Sequence, residues 1–232
     1  MGKVIMQLVL AFCCMAVSTA DAVVINDIAY DPSIGKCGLG DLYLPETVTA
    51  ETPVVLAIHG GGWCAGDRYS WSGVAEFFCR DLNCAVFNIE YRLASASNRW
   101  PACGDDCVKA ANWIFSDAFR ECAGFTPRRI YICGGSAGGH LSLWTLVNMP
   151  QDKVAGCISI SAIGDPMPDF QLHRGRYAGL FGAKADKPSV AAMDPVLKIK
   201  PGMAPVLCTH ATEDEVVPIA SHKAFADAYV PD

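Results

Sequence analysis

Short apolar runs alternate with segments of helical spacing along most of this chain. The nearly continuous apolar runs, typical of strands buried on both faces, lie at 54–59, 84–91, 129–133, 154–163 and 205–210. The segments with helical spacing lie at 70–81, 105–119, 137–147 and 219–229. Segments 23–30 and 40–45 alternate apolar and polar residues and are predicted as edge strands. Because parallel strands need long crossover connections, this alternation predicts an α/β fold, with a mostly parallel central sheet and helices on both faces.

The length and composition indicate one domain. The chain has 232 residues, of which 52% are hydrophobic and 18% charged, a globular rather than a disordered composition. The net charge of −6 and the lack of a basic cluster argue against a nucleic-acid partner. We therefore expect a single domain over 23–232. Within it, 164–203 is rich in Pro, Asp and Gly, and we predict an irregular, lid-like insertion over the sheet end where substrate-facing loops lie.

The first 22 residues differ from the rest. A short charged start, MGK, precedes an apolar run that ends at Val17 and is too short to span a bilayer comfortably. Small residues follow, and Ala20-Asp21-Ala22 fits a cleavage site of the A-x-A type. We predict a signal peptide over 1–22, cleaved near Ala22, and hence a secreted protein; a membrane anchor is the alternative. No span is predicted in the mature chain.

The cysteine content fits a secreted chain. Of twelve cysteines, Cys13 and Cys14 would leave with the signal peptide, and the even number that remains favours disulfides. Candidate pairs between near neighbours are Cys79 with Cys84 and Cys103 with Cys107. Cys133 and Cys157 lie in apolar runs and are also consistent with buried thiols. There is no CxxC pair, and the histidines have no ligand spacing, so neither a metal site nor a cofactor is predicted.

The stretch RIYICGGSAGGHLSLW places Gly134-x-Ser136-x-Gly138 between a predicted strand and a predicted helix. A serine in that context lies on a very sharp, strained turn. Its hydroxyl points out of the turn, at the positive end of the following helix. The flanking glycines let strand and helix approach without a Cβ clash. This context favours a nucleophilic serine over a plain tight turn.

The stretch HGGGW, residues 59–63, directly follows another predicted buried strand. Adjacent glycines weaken regular structure, because each loses more backbone freedom on folding than any other residue. They are explained if bare backbone N–H groups must approach a substrate. When a serine attacks a carbonyl carbon, the developing oxyanion needs donors held in place beforehand. The candidate oxyanion-hole donors are the N–H groups of Gly61, Gly62 and Ala137.

Two other side chains of this stretch have structural interpretations. His59 is predicted to brace the glycine loop by hydrogen bonds rather than to act as a base. Trp63 either lines the substrate pocket or only caps the core, and the sequence leaves both open.

Four stretches in this order, HGGGW, the YR of IEYRL, GGSAGGH and HATEDEVVP, resemble the α/β-hydrolase superfamily. Within it they resemble the esterase and lipase branch with the HGGG motif, which includes carboxylesterase-like and formamidase-like enzymes. The resemblance runs from about Val23 to the C-terminus. It implies an α/β-hydrolase fold, with Ser136 as nucleophile and Asp214 as the triad acid that orients a histidine. By itself, the acidic run at 213–215 is also consistent with a solvated turn.

The triad order predicts a catalytic histidine after Asp214, following one further strand. His222 is the only histidine there, and its place on a predicted surface helix indicates an exposed side chain rather than the base. We therefore expect that the sequence is cut short at Asp232, with the last strand, the catalytic histidine and a closing helix missing.

The other histidines are poorer candidates for the base. His140 lies one helical turn after Ser136 and is expected to point away from the serine oxygen. His210, at a strand end, is expected near the acid rather than opposite the serine, and nothing supports His173.

These features together predict a secreted serine hydrolase. It would cleave a small-molecule carboxylic ester, or an activated amide, through an acyl-serine intermediate. Two alternatives remain: a serine peptidase of the prolyl-oligopeptidase type, which shares the fold, and a non-catalytic hydrolase-like binding protein, which the missing histidine favours. The sequence indicates neither the ester nor the oligomeric state.

Overall fold

The computed structural model describes residues 22–183 and 185–229, so the predicted signal peptide, apart from Ala22, lies outside the described residues. The strands are β1 (Val23–Ala29), β2 (Leu39–Leu44), β3 (Val54–Ile58), β4 (Ala85–Ile89), β5 (Ile130–Gly135), β6 (Val154–Ile160) and β7 (Val206–Thr209). The α-helices are α1 (Ser72–Arg80), α2 (Ala102–Trp113), α3 (Asp117–Ala123), α4 (Ala137–Asn148), α5 (Pro166–Leu172), α6 (Ala178–Phe181), α7 (Lys187–Ala191) and α8 (Ile219–Ala228). Short 3₁₀ helices span Pro32–Gly38, Arg68–Trp71, Gln151–Lys153, Arg174–Tyr177 and Val196–Lys198.

All seven strands belong to one sheet, in the order β1-β2-β4-β3-β5-β6-β7. Strands β3 to β7 pair in parallel, whereas β2 is antiparallel to both β1 and β4. The prediction of a mostly parallel sheet is therefore confirmed. Its consequence for function is that β3, β5, β6 and β7 end at the same edge, where loops form binding sites in such folds.

Strand β3 illustrates why the sheet is covered on both faces. All five of its residues are buried. Leu56 and Ile58 belong to the large apolar cluster that includes residues of α2 and α4, whereas Val55 and Ala57 pack with Cys79 of α1. Successive side chains of a strand point to opposite faces, so a continuous apolar run serves both layers. Each fully buried aliphatic side chain contributes about 1.5–3 kcal/mol.

Helix α4 is buried along almost its whole length, since every residue from Ala137 to Val147 is buried. Its hydroxyl groups are satisfied internally. Ser142 Oγ donates to Gly138 O at 2.8 Å, and Thr145 Oγ1 donates to Leu141 O at 2.7 Å. Because these polar groups need no water, the helix can lie in the apolar layer against the sheet.

Four predictions about elements are corrected by the structure. Segment 40–45 is not an edge strand, because β2 lies between β1 and β4 in the sheet. The helix predicted at 105–119 is two helices, α2 and α3, because the Ser116 side chain accepts a hydrogen bond from Phe119 N and begins a new helix. The insertion 164–203 is not irregular but a series of short helices. Strand β7 is only half-buried, with Leu207 56% exposed, because it pairs with β6 alone among the described strands.

The described part of the chain has no helix that meets the length and hydropathy needed to span a bilayer. All ten cysteines from Cys37 to Cys208 are free thiols. The expected disulfides are thus not confirmed and stay a prediction. Cys133 and Cys157 are buried, as the thiol interpretation expected.

Candidate active site

Ser136 lies on a sharp turn between β5 and α4. Its backbone has φ 56° and ψ −122°, a conformation that side-chain-bearing residues rarely adopt. Two hydrogen bonds hold the turn: Ser136 N donates to Ile160 O at 2.8 Å, and His140 N donates to Ser136 O at 3.0 Å. The serine thus lies at the carboxyl edge of the sheet and the N-terminus of α4, as the GxSxG pattern predicts.

Glycines are required beside Ser136 because the surrounding backbone is very close. A Cβ on Gly138 would overlap the carbonyl oxygens of Ile58 and His59, and one on Gly134 would overlap Gly138 O. These contacts press α4 against β3 and β5 and leave no room for a side chain. The glycines therefore fix how closely the helix approaches the sheet, and so where the serine lies.

The glycine loop of HGGGW lies directly against the elbow. A Cβ placed on Gly60 would be 3.4 Å from Ser136 Cβ and 2.9 Å from Gly135 O. Gly61 and Gly62 have φ values of 115° and 59°, which explains why glycine is used there. The curl is closed by Cys64 N and Ala65 N, which donate to Gly61 O at 3.2 and 3.0 Å. The loop thus carries its backbone to the serine.

His59 braces this loop, as predicted. Its Nδ1 lies 2.7 Å from Gly60 O, and its ring stacks on Tyr91 with ring centroids 4.3 Å apart. The Tyr91 hydroxyl donates to His59 O at 3.0 Å. Tyr91 of the YR motif after β4 therefore supports the glycine loop through this hydrogen bond and ring contact.

Trp63 is fully buried, which favours a role in capping the core over a role in lining the substrate pocket. Its Nε1–H donates to His140 Nδ1 at 3.2 Å, and His140 Nε2 donates to Met193 O at 2.9 Å. This pattern requires a neutral imidazole with its proton on Nε2. Burial lowers the pKa of His140 to about 4, which is consistent with that neutral state. His140 thus joins the glycine loop, α4 and the insertion.

Asp214 lies on the loop after β7, and its carboxylate is organised by backbone donors. Val216 N and Val217 N both donate to Asp214 Oδ1 at 2.9 Å. The pKa of Asp214 is lowered, chiefly by the Val217 N–H, and also by the Val216 N–H, His210 and the Ser161 hydroxyl. The acidic run is thus an ordered turn that holds one carboxylate.

Ser136 and Asp214 belong to the same edge of the sheet. Gly135, just before the serine, pairs with Ile160 of β6, and Ile160 pairs with Thr209 of β7. The loops that follow β5, β6 and β7 therefore begin side by side along the same edge of the sheet. With neighbouring strands about 4.8 Å apart, the strand ends that carry the serine and the acid are about 10 Å apart, with β6 between them.

The prediction that His222 is exposed is wrong, because only 2% of the residue is exposed. Helix α8 packs on the turn after β6, where a Cβ on Gly164 would lie 3.2 Å from His222 Cα, and this contact encloses the ring. His222 Nδ1 lies 3.1 Å from His210 Nδ1. The sequence pattern could not reveal a burial that depends on contact with a distant turn.

His210 lies beside the acid, as expected. Its Nε2 is 2.9 Å from Val217 O and 3.3 Å from Asp214 Oδ2. In a neutral His210 imidazole, Nε2 donates to Val217 O, so Nδ1 is the acceptor and His222 Nδ1 is the donor between the rings. This leaves the buried His222 Nε2 without a hydrogen-bond partner in the described structure.

No histidine is placed as a base for Ser136 among these contacts. The sequence has five histidines: His59, His140, His173, His210 and His222. The arrangement brings Ser136, the glycine loop and Asp214 to one edge of the sheet, and in the described structure each histidine hydrogen bonds to groups other than the Ser136 side chain.

A buried carboxylate in the insertion, Asp169 of α5, was not predicted from the sequence, and it is fully buried. It accepts from Arg176 Nη1 at 2.8 Å, Tyr177 OH at 2.9 Å and His173 Nδ1 at 3.1 Å. Arg176 Nη2 also donates to Val216 O at 2.9 Å, on the acid loop. The Tyr177 ring packs on Trp63, with centroids 5.6 Å apart. Asp169 therefore connects the insertion to both loops of the site.

No cluster of three or more His, Cys, Asp or Glu side chains suited to a metal ion occurs in the described ranges.

Comparisons with known proteins agree with this geometry. The family model described as BD-FAE matches residues 40–229. The carboxylic ester hydrolase LipN of Mycobacterium tuberculosis is 38% identical over 102 residues, 44% of this chain and 26% of LipN. The carboxylesterase NlhH of the same species is 35% identical over 114 residues, 47% of this chain and 35% of NlhH. The chain therefore spans only about a quarter to a third of the length of these two relatives.

The structure of esterase B from Lactobacillus rhamnosis HN001 is similar in fold. It has a TM-score of 0.75 and 19% identity, and the match covers 98% of this chain and 78% of esterase B. At that identity the likeness concerns the fold. Because the family model covers well over half of the sequence, the chain belongs to the BD-FAE family, with the fold of the HGGG-type α/β-hydrolases.

Proposed function

We propose that this protein is a serine hydrolase that cleaves a carboxylic ester, or an activated amide, through an acyl-serine intermediate at Ser136. The observation that carries the proposal is the strained backbone of Ser136, φ 56° and ψ −122°, at the strand-to-helix turn beside the glycine loop. Such strain persists where the surrounding structure imposes it, which is typical of nucleophilic elbows. The ester hydrolase names of LipN and NlhH support the reaction class.

The reaction follows from the groups at the sheet edge. Ser136 Oγ attacks the carbonyl carbon, and its proton passes to a general base and then to the leaving alcohol. The negative charge on the carbonyl oxygen is stabilised by the N–H groups of Gly61, Gly62 and Ala137. Water then attacks the acyl-serine, releases the acid and restores the serine. The substrate is a small-molecule ester.

Asp214 is the acid that orients the base in this proposal. Its low pKa keeps the carboxylate ionised, as needed to stabilise an imidazolium. The five histidines, in the arrangement described, do not supply that base. Without one, a serine is a weak nucleophile at neutral pH, and only slow turnover from the oxyanion hole and binding remains. Activity is therefore to be measured on the native protein.

The test is labelling and turnover by the native protein recovered from its source. We expect a fluorophosphonate probe to modify Ser136, and p-nitrophenyl acetate to be hydrolysed. Both signals should disappear in Ser136→Ala and persist in the control Ser97→Ala, which changes an exposed serine. Equal labelling of wild type and Ser136→Ala would refute the assignment.

A second candidate is a non-catalytic binding protein with a hydrolase fold. The observation that favours it is that every histidine of the chain has partners other than the Ser136 side chain. Under this alternative, neither labelling nor turnover would be detected in the native protein.

We also propose that the protein is secreted with residues 1–22 removed. The apolar run ending at Val17 and the Ala20-Asp21-Ala22 site support this. The intact mass of the extracellular protein should correspond to a start at Val23. Leu10→Arg, which places a charge in the apolar run, should prevent secretion. An extracellular protein that retains Met1 would contradict the proposal.

A further inference from the structure

A cleft lies on the flank of the molecule, between α2, α4 and the insertion. Its volume is about 910 Å³, within the range of small-molecule sites. We use the name flank cleft for the region lined by Trp100, Asp105, Asn112, Trp144, Phe181 and Lys198.

The flank cleft is separate from the candidate active site. Trp144 lies eight residues after Ser136 on α4, which is about 12 Å along the helix at 1.5 Å per residue. Neither Ser136 nor Asp214 lines the cleft. A ligand bound here would not need the serine, so the inference holds whether or not Ser136 is a nucleophile.

Aromatic surfaces of the cleft are held rigidly. Trp144 is buried and packs edge-on against Trp100, with ring centroids 4.7 Å apart and planes at 74°. A Cβ on Gly104 would lie 2.7 Å from Trp144 Nε1 and 3.0 Å from Trp100 Cη2, so both indoles rest directly on the α2 backbone. Trp100 and Phe181 remain partly exposed. A ligand therefore meets a preformed aromatic surface, which lowers the entropy cost of binding.

Polar groups face the same space. Asp105 is an exposed carboxylate on α2. Asn112 donates Nδ2 to Val108 O at 2.9 Å and keeps Oδ1 as an acceptor. Lys198 Nζ donates to Asn148 Oδ1 at 2.8 Å and lies 4.2 Å from the Trp144 ring centroid, which leaves further N–H donors on the ammonium. The cleft thus offers acceptors and donors beside aromatic rings.

These groups discriminate between classes of ligand. A hydrocarbon chain would strip water from Asp105, Asn112 and Lys198 without replacing its hydrogen bonds. A cation would meet the ammonium groups of Lys198 and of Lys109, which is paired with Asp31, and an anion would meet the Asp105 carboxylate. Hydroxyl groups both donate and accept, so a neutral polyhydroxylated ring satisfies all three polar residues at once. Its apolar C–H face is complementary to an aromatic ring.

We propose that the flank cleft is a binding site for a neutral saccharide. A sugar ring packs against Trp100 and Phe181, and its hydroxyl groups hydrogen bond with Asp105, Asn112 and Lys198. This site would hold a saccharide apart from the serine, as a non-catalytic contact.

Calorimetry with defined oligosaccharides tests the site. Cellohexaose, xylohexaose and mannohexaose would be titrated into the Ser136→Ala protein, which removes the proposed nucleophile. The cleft variants are Phe181→Ala and Asp105→Ala. Their matched controls are Phe77→Ala, at a 49% exposed phenylalanine on α1, and Asp117→Ala, at an 84% exposed aspartate on α3. Circular dichroism would verify that each variant is folded.

We expect saturable binding of at least one oligosaccharide, with a Kd below about 1 mM. Phe181→Ala and Asp105→Ala should each weaken binding by about tenfold or more, which is about 1.4 kcal/mol, and the two controls should not change it. The absence of saturable binding for all three sugars would overturn the proposal, as would equal affinities of cleft variants and controls. Saturable binding of butyrate or choline in place of the sugars would overturn the saccharide class.

Discussion

At the scale of single residues, the candidate site depends on backbone atoms that approach too closely for side chains. Gly138 and Gly134 allow α4 to meet β3 and β5, and this meeting sets the strained turn at Ser136. The glycines act on function indirectly, because they determine how far the serine projects beyond the sheet.

Gly138→Ala should destabilise the protein by about 3 kcal/mol, because its Cβ would overlap the carbonyl oxygens of Ile58 and His59. Gly73→Ala on α1 is the matched control, since its Cβ would meet nothing within 4 Å. That change should stabilise the helix by about 0.5–1 kcal/mol. Urea unfolding measures both. A Gly138→Ala protein as stable as wild type would contradict the close helix–strand contact.

His140 gives the stability a defined pH dependence. Its pKa is about 4 in the folded protein against an ordinary 6.5, because burial disfavours the imidazolium. Between these values the unfolded chain binds more protons than the folded one, so stability falls as the pH decreases. We expect a loss of about 2 kcal/mol from His140 between pH 7 and pH 5.

Urea unfolding at the two pH values checks this contribution. His140→Gln should flatten the dependence, because an amide can accept from Trp63 and donate to Met193 without titrating. Part of the slope should remain, because burial also lowers the pKa of His222 to about 4. A slope unchanged in His140→Gln would contradict the neutral, buried assignment.

At the scale of elements, an ion pair with a buried carboxylate, Asp169–Arg176, helps to hold the insertion to the site. Arg176 bridges Asp169 of α5 and Val216 O of the acid loop. Arg176→Met should cost about 3–5 kcal/mol, because it leaves the Asp169 carboxylate buried without its cation. It should also speed hydrogen exchange at the Val216 and Val217 amides.

The matched control for this pair is Arg174→Met. Arg174 is exposed and lies over the Phe170 ring at 5.3 Å, without contact to the acid loop in the described structure. In Arg174→Met, the hydrogen-exchange rates of the Val216 and Val217 amides should equal those of wild type. If the amide exchange rates in Arg176→Met also equal those of wild type, the insertion does not order the acid loop.

The elements that sequence reasoning predicted correctly are those with a local signal. The buried strands have continuous apolar runs, and the Ser136 elbow has glycines that only a close strand–helix turn requires. Two of the short helices of the insertion also have a local sequence signal at their N-termini. Asp165 and Asp186 cap two of them, each with a proline in the first turn.

Other features could not be predicted because they depend on distant contacts. His222 is buried by the turn at Gly164, and the Asp169 pair joins α5 to a loop more than 40 residues away. The exposure of Leu207 depends on which strands flank β7 in the sheet. Periodicity reports which face of an element is apolar and not what covers that face.

At the scale of the whole molecule, the reactivity of the cysteines distinguishes the folded from the unfolded protein. Cys64 is exposed, whereas burial raises the pKa of Cys133 to about 12. In the folded protein, iodoacetamide should therefore modify Cys64 and not Cys133. Cys133 should react only after global unfolding, because it is buried in β5, an interior strand between β3 and β6.

The same labelling tests the disulfide prediction. If Cys79 and Cys84 are thiols in the native protein, unfolding alone should make them reactive. If they form a disulfide, they should react only after unfolding and reduction together. Peptide mass analysis distinguishes these results, and labelling of Cys133 in the folded state would contradict the described burial.

The burial of α4 has a consequence for how the chain is produced. In the unfolded chain, the segment from Leu141 to Val147 presents an uncharged, largely apolar surface, nearly all of which is buried in the folded protein. Before α4 docks on the sheet, association with other unfolded chains competes with correct folding. Refolding yield should therefore fall as protein concentration rises, and cells that make this protein in quantity should rely on chaperones to keep this segment apart.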